Sequence, residues 1–163
     1  MKKHLSGIFL CIIALLAYTA ALAQVVGVDA DSVLTTAESV FKDMKAKKYG
    51  TLWSRLTTKS QETILKDIMG SAKDATNTFS KEQIQSDMRA GGMIAASYWN
   101  GVLTAFNPDI ILNESTWGIG FVKPDRAEIV IRYKKSDQPV RLQMSKEDGL
   151  WKVGLTETFW ARK

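Results

Sequence analysis

The spacing of apolar residues changes once along this chain, from every third and fourth position before Pro108 to every second position after it. A stripe repeating at three and four residues is the buried face of a helix, and alternation is the buried face of a strand. Helices gathered first and strands gathered last predict an α+β domain rather than alternating βαβ units. From Asp31 to Lys48 the apolar positions are Val33, Leu34, Ala37, Val40, Phe41 and Met44, with Asp31 or Ser32 as the starting cap and Gly50 past the end. A short helix follows from Thr51, carrying Leu52, Trp53 and Leu56, and a third runs from about Lys59 to Met69. Ser80 with Gln83 has the form of a capping box and opens a long helix that is expected to reach Phe106, where Asn107-Pro108 stops it.

After Pro108 the expected segments are extended. Ile110 to Leu112 begins one and Thr116 to Val122 continues it; Lys123-Pro124-Asp125-Arg126 is a turn. Ala127, Ile129, Ile131 and Tyr133 then alternate with Glu128, Val130, Arg132 and Lys134, as Val140, Leu142 and Met144 do with Arg141, Gln143 and Ser145, and Lys146-Glu147-Asp148-Gly149 turns the chain again. Trp151, Val153, Leu155 and Phe159 are expected on one side of a last strand. Consecutive strands joined by short turns predict an antiparallel meander.

The N-terminus is of another kind. Lys2, Lys3 and His4 precede an apolar run from Leu5 to Ala23 that closes on Ala21-Leu22-Ala23. This is the pattern of a secretory signal, cleaved after Ala23, and it predicts a periplasmic protein whose residues 24–163 form a single domain. The competing reading is an uncleaved anchor, since the run approaches the roughly 20 residues of a spanning helix; contact with a membrane is expected only in that case. Cys11 lies inside the run rather than behind it, which disfavours a lipoprotein.

Removing residues 1–23 also removes the only cysteine and the only histidine, together with two of the 22 basic residues and none of the 17 acidic ones. The remaining domain cannot form a disulfide, so its stability must come from packing; at about 140 residues it can bury roughly two thirds of its unfolded surface. Zinc sets built on Cys and His, Ser-His-Asp triads and thiolate nucleophiles are excluded, and no metal or cofactor is expected. The small positive excess is scattered, which argues against nucleic acid as a partner. Its densest run, Lys42, Lys45, Lys47 and Lys48, ends the first helix, where cations complement the helix dipole. Gly91-Gly92 lacks the spacing of a phosphate loop; with Ala95, Ala96 and Ser97 it forms a small-residue stretch suited to close helix packing or a kink, or to leaving room for a ligand.

Two stretches carry a resemblance. The first helix ends in Lys47-Lys48-Tyr49-Gly50 followed by Leu52-Trp53, and the closing hairpin from Val140 to Leu155 contains Glu147-Asp148-Gly149-Leu150-Trp151-Lys152-Val153. In that order the chain resembles the nuclear transport factor 2-like superfamily, the ketosteroid isomerase-like or cystatin-like α+β fold that also includes scytalone dehydratase. The resemblance implies a cone-shaped domain in which a curved meander sheet wraps helices around a largely apolar cavity. Relatives bind or transform small hydrophobic molecules there, or associate through the sheet as homodimers. The long helix around Gly91 departs from the simplest form of the family.

On this reading Trp53, Tyr98, Trp99, Tyr133 and Trp151 are the candidate cavity wall, because each lies on an inward stripe, although large aromatics more often simply fill a core. The leading functional expectation is a non-enzymatic binding or interaction module for a small apolar ligand. A second is a membrane-tethered assembly protein resembling the periplasmic domains of type IV secretion systems. A third is an isomerase or dehydratase using a carboxylate and a tyrosine, as ketosteroid isomerase does; Tyr98 and Tyr133 would donate, and Asp87 or Asp109 would have to act as base. Arg132 and Arg141, with Lys134 and Lys152, are expected to form a cationic outer face of the sheet, solvated by default or docking an acidic partner or anionic lipid headgroups.

Overall fold

The computed structural model describes residues 29–72 and 79–160. The expected signal segment and its expected cleavage point after Ala23 lie outside the described residues. The described chain is α+β: helices first, then a four-stranded antiparallel sheet in the order β1-β2-β3-β4. None of its helices is long and apolar enough to cross a membrane.

Helix α1 (29–45) buries Val33, Ala37, Val40, Phe41 and Met44 completely, while Leu34 is only partly covered. Burying these side chains contributes about 1.5–3 kcal/mol for each large one. The helix is already running at Asp31 and Ser32, so neither caps it. Its end is made by Lys47, which takes the left-handed conformation (φ 56°) while the Lys48 N–H returns to the Asp43 carbonyl at 2.9 Å.

Gly50 follows the end of α1 as expected, and it already lies inside α2 (Tyr49–Ser54), which starts two residues before Thr51. There its backbone is pressed against the end of α4, and a Cβ on Gly50 would stand 2.6 Å from the Arg89 carbonyl oxygen. Helix α3 (Thr58–Ala72) buries Ile64 and Leu65.

The single helix expected from Ser80 to Phe106 is two. The Ser80–Gln83 capping box is present and opens α4 (Lys81–Ala90), which stops at Gly91 in the left-handed conformation (φ 68°). After Gly92 a separate helix, α5 (Met93–Ala105), begins. The break has a tertiary cause: a Cβ on Gly91 would lie 2.8 Å from the Gly50 nitrogen, so the α4 terminus and the α2 backbone can meet only through glycine.

Ile110 to Leu112 are helical rather than extended. They belong to α6 (Pro108–Asn113), where the proline occupies the first turn and the Asn107 side chain accepts from the Asp109 N–H at 2.9 Å. A proline that ends one helix is equally suited to begin another, because its missing N–H is not needed there.

The meander consists of β1 (Ser115–Val122), β2 (Arg126–Tyr133), β3 (Val140–Glu147) and β4 (Leu150–Gly154), with a bulge in β1 between Ile119 and Phe121. Ala127, Ile129, Ile131, Leu142, Met144, Trp151 and Val153 line the buried face and meet the helices in one core. Leu155 and Phe159 do not continue β4. They belong to α7 (Leu155–Phe159), which turns off the strand at Gly154 and packs on α3 and β3.

Candidate functional site

Of the five aromatic residues singled out, Trp53 and Trp99 are fully buried and Trp151 nearly so, while Tyr98 and Tyr133 are half-buried. Trp53 sits on α2 and Trp99 on α5, two helices in contact. Tyr98 meets Trp99 edge to face, with ring centroids 5.2 Å apart. The sheet register separates the other two. Ile131 pairs with Val140 near the Tyr133 end of β2, and Trp151 pairs with Lys146 at the far end of β3. Six residues of strand span about 20 Å, so Tyr133 and Trp151 stand at opposite ends of the sheet. The structure thus places Trp53, Tyr98 and Trp99 on two contacting helices and sets Tyr133 and Trp151 apart from each other.

The three on the helices share a polar anomaly. Trp53 Nε1, Trp99 Nε1 and the Tyr98 hydroxyl are buried with no hydrogen-bond partner among the described residues. More than nine in ten buried polar groups in folded proteins are paired. The Tyr98 hydroxyl is pushed up from its ordinary pKa, chiefly by burial and secondarily by the Asp67 carboxylate, so it remains a protonated donor. Trp151 differs: its Nε1 reaches Asp29 Oδ1 at 3.4 Å, and the Lys146 ammonium, itself 3.0 Å from Asp29, lies 5.3 Å from the Trp151 ring centre.

The carboxylates considered as bases have other partners. Asp87 Oδ1 accepts from the Ala95 N–H at 2.9 Å, anchoring the first turn of α5, and the carboxylate fills the space a Gly92 side chain would take. Asp109 pairs with Lys45 and accepts from Asn113 Nδ2 at 3.0 Å on the surface. On the outer face of the sheet Arg141 opposes Val130, two residues along β2 from Arg132. Arg141 is bonded to Glu128 at 2.6 Å and Lys152 to the Ser54 carbonyl, while Arg132 and Lys134 are exposed.

One polar centre has no counterpart in the sequence reading. Glu157, on α7, accepts from Thr57 Oγ1 (2.7 Å), Ser60 Oγ (2.6 Å) and Thr156 Oγ1 (3.0 Å), and all three donor residues are buried. Ser60 Oγ in turn accepts from the Thr156 N–H at 3.0 Å, and Thr57 Oγ1 from the Ser60 N–H at 3.0 Å. Burial by itself would raise the Glu157 pKa; the bonds from Ser60, Thr57, its own backbone and Thr156 outweigh it and hold the carboxyl below its ordinary value. With its hydroxyls enclosed, the cluster ties the start of α3 to the end of the chain rather than meeting a substrate. A signal for it would have been Thr57-x-x-Ser60, a helix start, but nothing local links it to a glutamate almost a hundred residues away.

Two grooves open on the described surface. One, of about 570 Å³, is lined by Lys47, Lys48, Tyr49, Arg89 and Gly91 among others, where the turn after α1 and helix α2 meet the end of α4. The other, of about 280 Å³, is apolar and lies between α1 and β1, lined by Leu34, Thr35, Glu38, Leu112 and Trp117. Neither is lined by the five predicted aromatics. Among the described residues no three His, Cys, Asp or Glu side chains are grouped to hold a metal ion. No family model matches this chain, and no curated protein or solved structure is significantly similar to it.

Proposed function

We propose that this chain is an exported, periplasmic, non-enzymatic binding module whose helical layer holds a small, largely apolar molecule bearing a hydrogen-bond acceptor. The observation that carries this reading is the trio of unpartnered buried donors, Trp53 Nε1, Trp99 Nε1 and Tyr98 OH. Leaving a buried donor unmade costs about 1–3 kcal/mol, and two of these three are indole N–H groups that can only donate. A carbonyl or ether oxygen on an otherwise apolar ligand is the matching chemistry, since such sites combine apolar walls with few polar groups. Export is supported by the order of cations, apolar run and small residues over residues 1–23. Kinship with the nuclear transport factor 2-like superfamily belongs to the same proposal, supported by helices laid on one face of an antiparallel meander. The engagement of Asp87 with the α5 backbone and of Asp109 with Lys45 favours binding over isomerase or dehydratase chemistry.

Native mass spectrometry of protein purified from the cells that export it is the test. A co-purifying small molecule is expected, and its occupancy should fall in Trp99→Phe, which keeps the ring packing and removes the donor. A protein that carries no small molecule, and that Trp99→Phe stabilises by about 1 kcal/mol or more through deletion of an unsatisfied group, would refute the reading.

A further inference from the structure

The two edges of the sheet are treated differently. Along β4 the Val153 N–H donates to the Arg55 carbonyl at 2.8 Å and the Val153 carbonyl accepts from the Thr57 N–H at 3.0 Å, so the α2–α3 connection closes that edge. Where β4 ends, the Gln143 N–H of β3 is taken by Thr158 Oγ1 of α7 at 3.0 Å. Strand β1, at the other edge, pairs only with β2 among the described residues. Its eight residues, Ser-Thr-Trp-Gly-Ile-Gly-Phe-Val, include no charge and no proline, the usual means by which an edge is made unwelcoming.

The register identifies the free groups. Glu114 accepts from the Lys134 N–H at 3.1 Å. Alternation in an antiparallel ladder then turns the N–H and C=O of Ser115, Trp117 and Ile119 away from β2. The side chains of Trp117 and Ile119 lie on the helix-facing side, opposite Ile131 and Ile129. Trp117 forms one wall of the apolar groove with Leu34 and Leu112, whereas Ile119 is 38 % exposed. The same strand therefore carries a socket and, two residues on, an apolar plug.

We infer that β1 pairs antiparallel with β1 of a second copy about a two-fold axis at Gly118, setting Ile119 of each copy against Trp117 of the other. This goes beyond the ligand-binding proposal and does not depend on it. A two-fold requires a surface complementary to itself, and plug and socket on one uncharged strand meet that requirement without like charges opposed. Gly118 has open space around the position of a Cβ, so nothing on the outer face obstructs the axis. The bulge after Ile119 ends the straight ladder and the closed β4 edge offers no second site, so assembly stops at an eight-stranded dimer rather than a fibre.

The experiment uses protein purified from cells producing the full chain. Sedimentation across a micromolar concentration series is expected to show a dimer. Ile119→Lys and Gly118→Asp, both at positions the monomer tolerates, are expected to raise the dimer dissociation constant at least about tenfold by forcing charge into the shared ladder, with circular dichroism unchanged and the thermal midpoint unchanged at concentrations where variant and wild type are both monomeric. Arg132→Glu, on the outer face of β2 one strand in from the edge, should leave association as it is. In a Cys11→Ser background, Gly118→Cys should form a covalent dimer under mild oxidation, because facing strand positions lie within disulfide reach, and Arg132→Cys should not. A protein monomeric throughout the series, a dimer indifferent to both edge variants, or no cross-link through position 118 would overturn the inference. A monomer that instead takes up an extended peptide on β1 would assign the edge to another partner and overturn it equally.

Discussion

Replacing Glu157 tests how the end of the chain is fastened to the start of α3. The carboxylate accepts from three hydroxyls, at 2.7, 2.6 and 3.0 Å, on residues that are buried. A hydrogen bond to a charged group contributes about 1.5–3 kcal/mol, but three on one acceptor do not add. Ser60 and Thr156 would also retain each other at 3.3 Å after its loss. Glu157→Ala is therefore expected to cost about 2–4 kcal/mol, more than one charged hydrogen bond and less than the sum of three. Glu157→Gln keeps an acceptor and the hydroxyls can rotate to accept from its amide, so it should cost about 1–2 kcal/mol.

The pH dependence follows from the lowered carboxyl pKa. A group whose folded pKa lies below its unfolded value stabilises the fold fully above the unfolded pKa, about 4.3 for Glu. That contribution is lost as pH falls through the folded value. Wild-type stability should thus decline below about pH 4.3, and the Gln variant should decline less over the same window. Urea unfolding at neutral and acidic pH measures both effects; with a slope of about 1–3 kcal/mol per molar, the Ala variant should lose a molar or more of midpoint. An Ala midpoint indistinguishable from wild type, or a Gln variant with the full acid decline, would refute the reasoning.

Gly91→Ala should destabilise by about 1–2 kcal/mol, because the new Cβ meets the Gly50 nitrogen in a left-handed backbone, whereas Gly101→Ala, with open space inside α5, should stabilise by about 0.5–1 kcal/mol; thermal denaturation distinguishes the two. Asp87→Ala removes the acceptor for the Ala95 N–H and should cost about 0.5–2 kcal/mol, visible as reduced amide protection in the first turn of α5. Intact-mass measurement of exported protein is expected to place the mature N-terminus at Gln24; a chain that keeps Leu5 to Ala23 in the membrane fraction would instead favour the tethered reading.

What the sequence by itself determined is whatever a periodicity can carry. The α1 stripe, the Ser80–Gln83 box, the hairpin turns and the inward alternation from Ala127 to Val153 are local patterns, and they became the helices and the meander they predict. Tertiary structure decided where one residue serves a distant one. Gly91 breaks a helix because Gly50 must approach it, and Leu155 leaves the strand in α7, whose Glu157 then engages Thr57 and Ser60. Tyr133 and Trp151 share an inward stripe but not a place, because antiparallel register sends the ends of successive strands in opposite directions. Spacing along a chain specifies which side of an element is apolar; which elements touch, and which buried donors go unpaired, depends on how those sides are laid together in space.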